Sequence, residues 1–208
     1  MDCWQPRMRI RIGLPCYNKS MPRPVAHGLA EVSQVYDIDL RTAVGCYTFR
    51  GRNMTLTDNC SMSQKLTGFD YYLAMDNDII VTVDAIRKLL EKNLDIIGAA
   101  YMTRNDDINA KQIVAGYWDK TPGDSPRSLW INVSDVSVRR VDWIGMGCTL
   151  IKRSVFDKLE YPYFRHVMIR YNHSQEQTGE DIGFCLQCEK AGIQVYVDCD
   201  NRVEHMDH

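Results

Sequence analysis

Strand-like and helix-like periodicities alternate through the first half of this chain. Met8, Ile10, Ile12 and Leu14 alternate with Arg9, Arg11 and Gly13, which predicts a strand running into a Pro-Cys-Tyr-Asn loop at 15–18. Val25, Leu29, Val32 and Tyr36 then recur at helical spacing, and a second strand is expected over 40–47. After the polar Arg50-Gly51-Arg52-Asn53 loop, Asn53 predicts the cap of a helix to Lys65 that Gly68 ends. An apolar strand over 71–75 stops at Asp76-Asn77-Asp78, followed by a helix over 83–92 capped by Thr82 and a buried strand over 94–102. Such alternation buries its apolar faces most readily as an α/β sheet covered by helices on both sides. Ligands of such sheets gather beyond the carboxyl ends of the strands. The two most polar strand ends here are Tyr17-Asn18 and Asp76-Asn77-Asp78.

The second half carries more strand and loop. Residues 103–126 are rich in Asp, Asn, Gly and Pro, with one small strand expected at 113–115. Segments 129–133 and 136–141 read as a hairpin. Ser154 predicts the cap of a short helix, and 161–177, with no clean period, predicts a loop. A helix over 181–191 is expected to end at Gly192 before a last strand over 193–197. With 208 residues and neither repeat nor linker, one domain over 1–208 is expected.

Composition narrows the partners. Hydrophobic residues at 45% and charged residues at 25% exclude disorder for the bulk of the chain. The net charge of -2 supplies no global basic field for nucleic acid or an anionic membrane. Arg139, Arg140, Lys152 and Arg153 form a modest basic cluster, which leaves a nucleic-acid acceptor possible but unsupported by charge. No apolar stretch suits a membrane span, and MDCWQPRMRIRIG has no signal-peptide core. A cytoplasmic protein with reduced thiols at its eight cysteines is the expectation.

Three constellations carry chemistry. In Asp76-Asn77-Asp78, two carboxylates at a strand end can face one hard cation, Mn²⁺ or Mg²⁺, which can bridge a diphosphate. The same residues also suit a plain turn. Gly179-Glu180-Asp181 opens a helix, where the dipole keeps a carboxylate ionised and available as a base. Ordinary capping explains it equally well. In the terminal VEHMDH, His205 or His208 can return to a metal site through a neutral ring nitrogen, or simply lie on the surface. Cys185, Cys188, Cys199 and His205 offer a rival structural zinc site, although the first two fall within the expected helix, where Cys often serves as a core residue. Arg50 and Arg52 can reach a diphosphate, and Tyr101 and Arg104 can face the same ligand. Trp143 with Gly145 and Gly147 suits a platform for an acceptor ring, or a core Trp beside a strand bulge.

Taken in order, PCYN, the RN that opens a helix, YYLAMDND, GMGCTLIKRSVF, GEDIGFCLQCEKAGIQVYVD and VEH resemble GT-A fold glycosyltransferases of the family-2-like group. The resemblance spans most of the chain, from about Ile10 to His205. It implies a single α/β domain with a mixed, mostly parallel sheet flanked by helices, Rossmann-like in its nucleotide-diphospho-sugar binding. Residues 8–102 would form the nucleotide-sugar-binding half and 103–208 the acceptor-binding and catalytic half. The implied activity is transfer of a sugar from a nucleoside-diphosphate sugar, a UDP-sugar first among them, to an acceptor hydroxyl, with inversion. The implied roles are Asp181 as base with Glu180 beside it, and Asp76, Asp78 and His205 around the Mn²⁺ or Mg²⁺. Pro15, Tyr17, Arg52, Asp76 and Asn77 would meet the nucleotide sugar, and Trp143, Gly145 and Gly147 the acceptor. A non-catalytic binding module stapled by the cysteine zinc site, or a nucleotidyltransferase, is the alternative. The chain departs from the family in lacking the Q-x-x-R-W segment of its processive members and the membrane helices of its lipid-linked ones.

Overall fold

The computed structural model describes residues 8–16, 20–57, 66–104, 111–119, 128–170 and 175–206. In chain order the elements are β1 (Arg9–Cys16), α1 (Arg23–Val35), β2 (Asp37–Val44), α2 (Thr48–Leu56), β3 (Tyr71–Met75), β4 (Ile79–Ile80) and α3 (Val83–Lys92). The chain continues with β5 (Ile96–Ala100), β6 (Ile113–Trp118), β7 (Ser128–Ile131), β8 (Val138–Val141), β9 (Trp143–Ile144), β10 (Cys148–Lys152) and α4 (Arg153–Phe156). It closes with β11 (Met168–Arg170), β12 (Gln175–Gln177), α5 (Glu180–Lys190), β13 (Val195–Arg202) and β14 (Glu204–His205).

The main sheet has seven strands in the order β2-β1-β3-β10-β5-β13-β8. β2, β1 and β3 run parallel, as do β5 and β13, while β10 and the edge strand β8 are antiparallel to their neighbours. The fold is therefore α/β with a large mixed sheet between helices. Its two halves interleave, because β10 of the second half lies between β3 and β5 of the first.

Period-two alternation explains the two cores. From β3, Leu73 and Met75 join Ile10, Ile12 and Leu14 of β1 on the face covered by α1 and α3, through Val25, Leu29, Val32, Ile86 and Leu89. Tyr72 and Ala74 point the other way, toward Phe156, Phe164, Phe184, Cys185 and Cys188. Each large side chain so buried contributes about 1.5–3 kcal/mol, which makes the strand pattern decisive for the sheet. Arg11 departs from the expected polar face of β1. It is buried, donates to Asp39 Oδ2 at 2.8 Å and to the Leu56 carbonyl at 2.8 Å, and lies 4.5 Å from the Phe69 ring centroid. Burial alone would raise the Asp39 pKa, but hydrogen bonds from Arg41 and Arg11 hold it below the ordinary value.

Several boundaries differ from the sequence reading. Arg50–Asn53 lie inside α2 rather than in a loop before it, and the helix stops at Leu56. Its expected run to Lys65 falls outside the described residues. β7 and β8 do not form a hairpin: β7 pairs with β6 and β8 with β13. α4 is capped at Lys152, without a side-chain cap, rather than at Ser154. A small antiparallel pair, β11 with β12, occupies part of the expected loop. Thr82 does cap α3, its hydroxyl accepting from the Ala85 N–H at 3.1 Å, and Gly192 follows α5 with φ of 70°. No helix among the described residues is long and apolar enough to cross a membrane.

Candidate functional site

A cavity of about 620 Å³ opens at the carboxyl ends of β1, β3 and β5. It is lined by Pro15, Arg52, Asp76, Asn77, Asp78, Glu180, Asp181 and His205, and by Tyr101 and Arg104, all singled out from the sequence. Its size suits a nucleotide-sized ligand.

The turn between β9 and β10 frames the floor. The Gly147 carbonyl accepts from the Asp76 N–H at 3.0 Å, and the Met146 carbonyl accepts from Arg52 Nη1 at 3.1 Å. Arg52 is buried on α2 and bridges two acidic groups, Asp76 Oδ1 at 2.7 Å through Nη2 and Glu180 Oε1 at 3.2 Å through Nε. Burial alone would lower the Arg52 pKa, but the charges of Asp76 and Glu180 outweigh it and raise it, so the guanidinium stays charged. This one residue therefore ties the end of β3 to the start of α5.

Asp78 and His205 meet by strand pairing. β14 runs antiparallel to β4, with His205 opposite Ile79, and the Met206 N–H donates to the Asp78 carbonyl at 2.9 Å. His205 Nε2 thereby lies 3.5 Å from Asp78 Oδ1. The Met102 carbonyl stands 2.9 Å from Nδ1, and Arg104 Nε stands 3.1 Å from Nε2. A carbonyl can only accept and a guanidinium can only donate. Both contacts are met by the tautomer that donates from Nδ1 and accepts at Nε2. Arg104 Nη2 is ion-paired with Asp78 Oδ2. Tyr101 braces the imidazole edge-on, with ring centroids 5.5 Å apart, and accepts the Gly147 N–H at 3.1 Å.

Asp181 departs from expectation in its pKa. Its Oδ1 accepts the Ile182 N–H at 2.8 Å. Burial and then the neighbouring Glu180 push its pKa up to about 6, against the lowering by that N–H and by Arg52. The helix N-terminus, expected to keep this carboxyl at an ordinary pKa, does not offset the loss of water.

The acceptor platform expected from the sequence is not an open surface. Trp143 is buried in β9 and packs edge-on against Trp130 at 4.8 Å. Gly145 and Gly147 are small because Tyr101 lies against them: an added Cβ would come within 2.1 Å of its hydroxyl at Gly145 and 2.6 Å of its ring at Gly147. The basic cluster is also divided. Lys152 pairs with Tyr71 at the end of β3 remote from Asp76, whereas Arg139 and Arg140 lie on the edge strand β8. Cys185, Cys188 and Cys199 are core residues whose thiol pKa values burial raises, while His205 stands beside Asp78. They form no zinc site. Among the described residues no group of three or more His, Cys, Asp or Glu side chains is gathered to hold a metal ion: Asp76 is engaged by Arg52, and only Asp78 and His205 adjoin. Tyr17 and His208 lie outside the described residues.

The sequence reading missed Cys46, Thr48 and Met146 on the cavity wall and the Met102 carbonyl behind His205. Thr48 opens α2 and Cys46 precedes it, so an earlier start for that helix would have brought both into view. The Met146 and Met102 carbonyls act through the backbone and leave no side-chain signature.

No protein-family model matches the chain, and no curated protein does. Among solved structures it is similar to the crystal structure of A197 from STIV, with a TM-score of 0.61 and 16% identity over 97% of this chain and 87% of that one. At that identity the likeness establishes a shared fold.

Proposed function

We propose that this chain is a cation-dependent glycosyltransferase of the GT-A kind, moving a sugar from a nucleoside-diphosphate sugar, a UDP-sugar first, to an acceptor hydroxyl with inversion. The observation that supports it best is the convergence, at one cavity beyond the strand ends, of Asp78 with His205, the Arg52-bridged Asp76 and the separate carboxyl of Asp181. Two protein donors adjoin here, a carboxylate oxygen and an imidazole nitrogen with a carbonyl behind the ring, so a divalent cation would take its remaining ligands from the diphosphate and water. Asp78 and His205, with Asp76 nearby, would hold Mn²⁺ or Mg²⁺, which supplies charge neutralisation at the leaving diphosphate when bound.

The chain's own residues account for the rest. Arg52 fixes the Asp76 carboxylate and adds positive charge beside the diphosphate position. Pro15, next to last in β1, stands on the cavity wall, where the nucleobase would lie. Asp181, ionised above about pH 6, takes the acceptor proton as the acceptor oxygen bonds to the anomeric carbon. The bond from that carbon to the β-phosphate oxygen breaks in the same step, and its electron pair leaves with the nucleoside diphosphate. Glu180 holds Arg52 and positions the start of α5 rather than removing the proton.

Thermal melting with UDP, GDP and dTDP, each with and without Mn²⁺, tests this reading. One nucleotide should raise Tm only when Mn²⁺ is present, and Asp78→Asn should abolish that rise. Stabilisation by no combination would contradict it. A second reading has one observation behind it, since Asp76 and Asp78 are both ion-paired with arginines. That arrangement suits a module binding a nucleoside diphosphate without transfer, and cation-independent stabilisation would favour it.

A further inference from the structure

Arg104 follows β5 and reaches back across the cavity mouth. A single guanidinium engages both groups that would ligate the cation, Asp78 Oδ2 through Nη2 and His205 Nε2 through Nε. Its side chain is 46% exposed, so a path toward solvent is open to it. Arg52, the other arginine of the site, is buried and locked between Asp76 and Glu180. The two arginines therefore differ in freedom, although both carry a fixed charge.

We propose that Arg104 is an internal counter-cation that occupies the metal-ligating pair until a nucleoside diphosphate draws it away, making cation and nucleotide binding cooperative. The proposal rests on the transferase reading and goes beyond it, by giving this side chain a role in the order of ligand binding. Three physical points carry it. The His205 lone pair is engaged by a donor, so a cation must break that hydrogen bond to use it. A divalent cation and a guanidinium on the same carboxylate repel each other strongly where water is partly excluded. A diphosphate offers planar-accessible oxygens to which an arginine fork binds at least as well as to one carboxylate. Displaced Arg104 then clamps the diphosphate, and the vacated pair receives the cation. By linkage, each ligand raises the other's affinity by the same factor. The substitution Arg104→Lys would keep the charge without the fork.

Calorimetric titration of Mn²⁺ into the whole chain, alone and with saturating UDP or GDP, tests the proposal in wild type, Arg104→Gln, Arg104→Lys and Asp78→Asn. Wild type should bind Mn²⁺ weakly alone and about tenfold or more tightly with nucleotide, within the usual range of such couplings. Arg104→Gln should bind Mn²⁺ alone about tenfold more tightly than wild type, gain less from nucleotide than wild type does, and bind nucleotide more weakly. Arg104→Lys should fall between, and Asp78→Asn should lose Mn²⁺ binding throughout. Equal Mn²⁺ affinities of wild type and Arg104→Gln without nucleotide would overturn the role of Arg104 and leave the transferase reading standing. Absence of Mn²⁺ binding in wild type and Arg104→Gln, with and without nucleotide, would overturn both.

Discussion

His205 Nε2 lies 3.5 Å from Asp78 Oδ1, brought there by the pairing of two-residue strands from distant parts of the chain. If this pair holds the cation, His205→Ala should weaken Mn²⁺ binding in the presence of nucleotide by about 10- to 100-fold, the scale on which metal sites respond to loss of a supporting group. Titration of Mn²⁺ into the nucleotide-saturated variant measures this. An affinity within about twofold of wild type, well below that scale, would remove His205 from the site.

Arg52 is both a site residue and a structural bridge. Arg52→Ala leaves Asp76 and Glu180 facing each other with no cation between them. Loss of one partner from a buried pair costs about 3–5 kcal/mol, and Asp76, 31% exposed, brings the expectation here to about 3 kcal/mol. Arg52→Lys should be milder in stability yet still weaken nucleotide binding, because an ammonium cannot span both carboxylates and the Met146 carbonyl. Urea denaturation paired with nucleotide titration separates the two effects.

The pKa of Asp181 fixes the sign of two pH dependences. As a base it must be ionised, so turnover should rise with pH through about 6 and level off above it. Asp181→Asn should lower turnover about 100-fold or more while leaving donor affinity nearly unchanged. Stability runs the other way. A folded pKa of about 6 against an ordinary 3.8 means that protonation favours the folded state. That contribution is complete below pH 3.8 and is lost as pH rises through about 6. Asp181→Asn should therefore match wild type near pH 4 and be the more stable near pH 8, by on the order of 2 kcal/mol given its partial exposure. Denaturation at the two pH values checks it, and a variant less stable than wild type at pH 8 would contradict the assignment.

Tyr101 couples the β9–β10 turn to His205. Gly147→Ala places a Cβ 2.6 Å from the Tyr101 ring, so the ring or the turn must shift. Overpacking of this kind costs about 1–3 kcal/mol. The displaced ring should also loosen the edge-on support of His205 and weaken Mn²⁺ binding. A variant that melts earlier but retains its Mn²⁺ affinity in the nucleotide complex would separate the turn from the site.

The sheet was largely legible in the sequence because its strands are apolar on a period of two or throughout, and such patterns leave few alternatives. α3 was legible to its cap, because Thr82 satisfies an N–H by a local bond. α2 was misplaced because Arg52 and Asn53 are polar and look like loop residues until their distant partners, Asp76, Glu180 and the Phe164 carbonyl, are known. The Asp76-Asn77-Asp78 strand end pointed to the cavity, since motif and topology agree there. Trp143 and the two glycines misled because an aromatic beside glycines reads the same whether the ring packing on them is a ligand or, as here, Tyr101. The shift at Asp181 was invisible because burial is a tertiary property, and a helix N-terminus alone suggests the opposite direction.

The proposed activity is sugar transfer assisted by a cation at Asp78 and His205 and by Asp181 as base. Its most direct measurement is NMR of a nucleotide-sugar panel incubated with the chain, Mn²⁺ and hydroxyl acceptors, following nucleoside diphosphate release and the anomeric proton of the product. The expected result is Mn²⁺-dependent turnover of one donor, an inverted anomeric configuration, loss in Asp78→Asn, and a fall of about 100-fold in Asp181→Asn. Turnover of no donor, turnover unaffected by Asp181→Asn, or a product of retained configuration would contradict it.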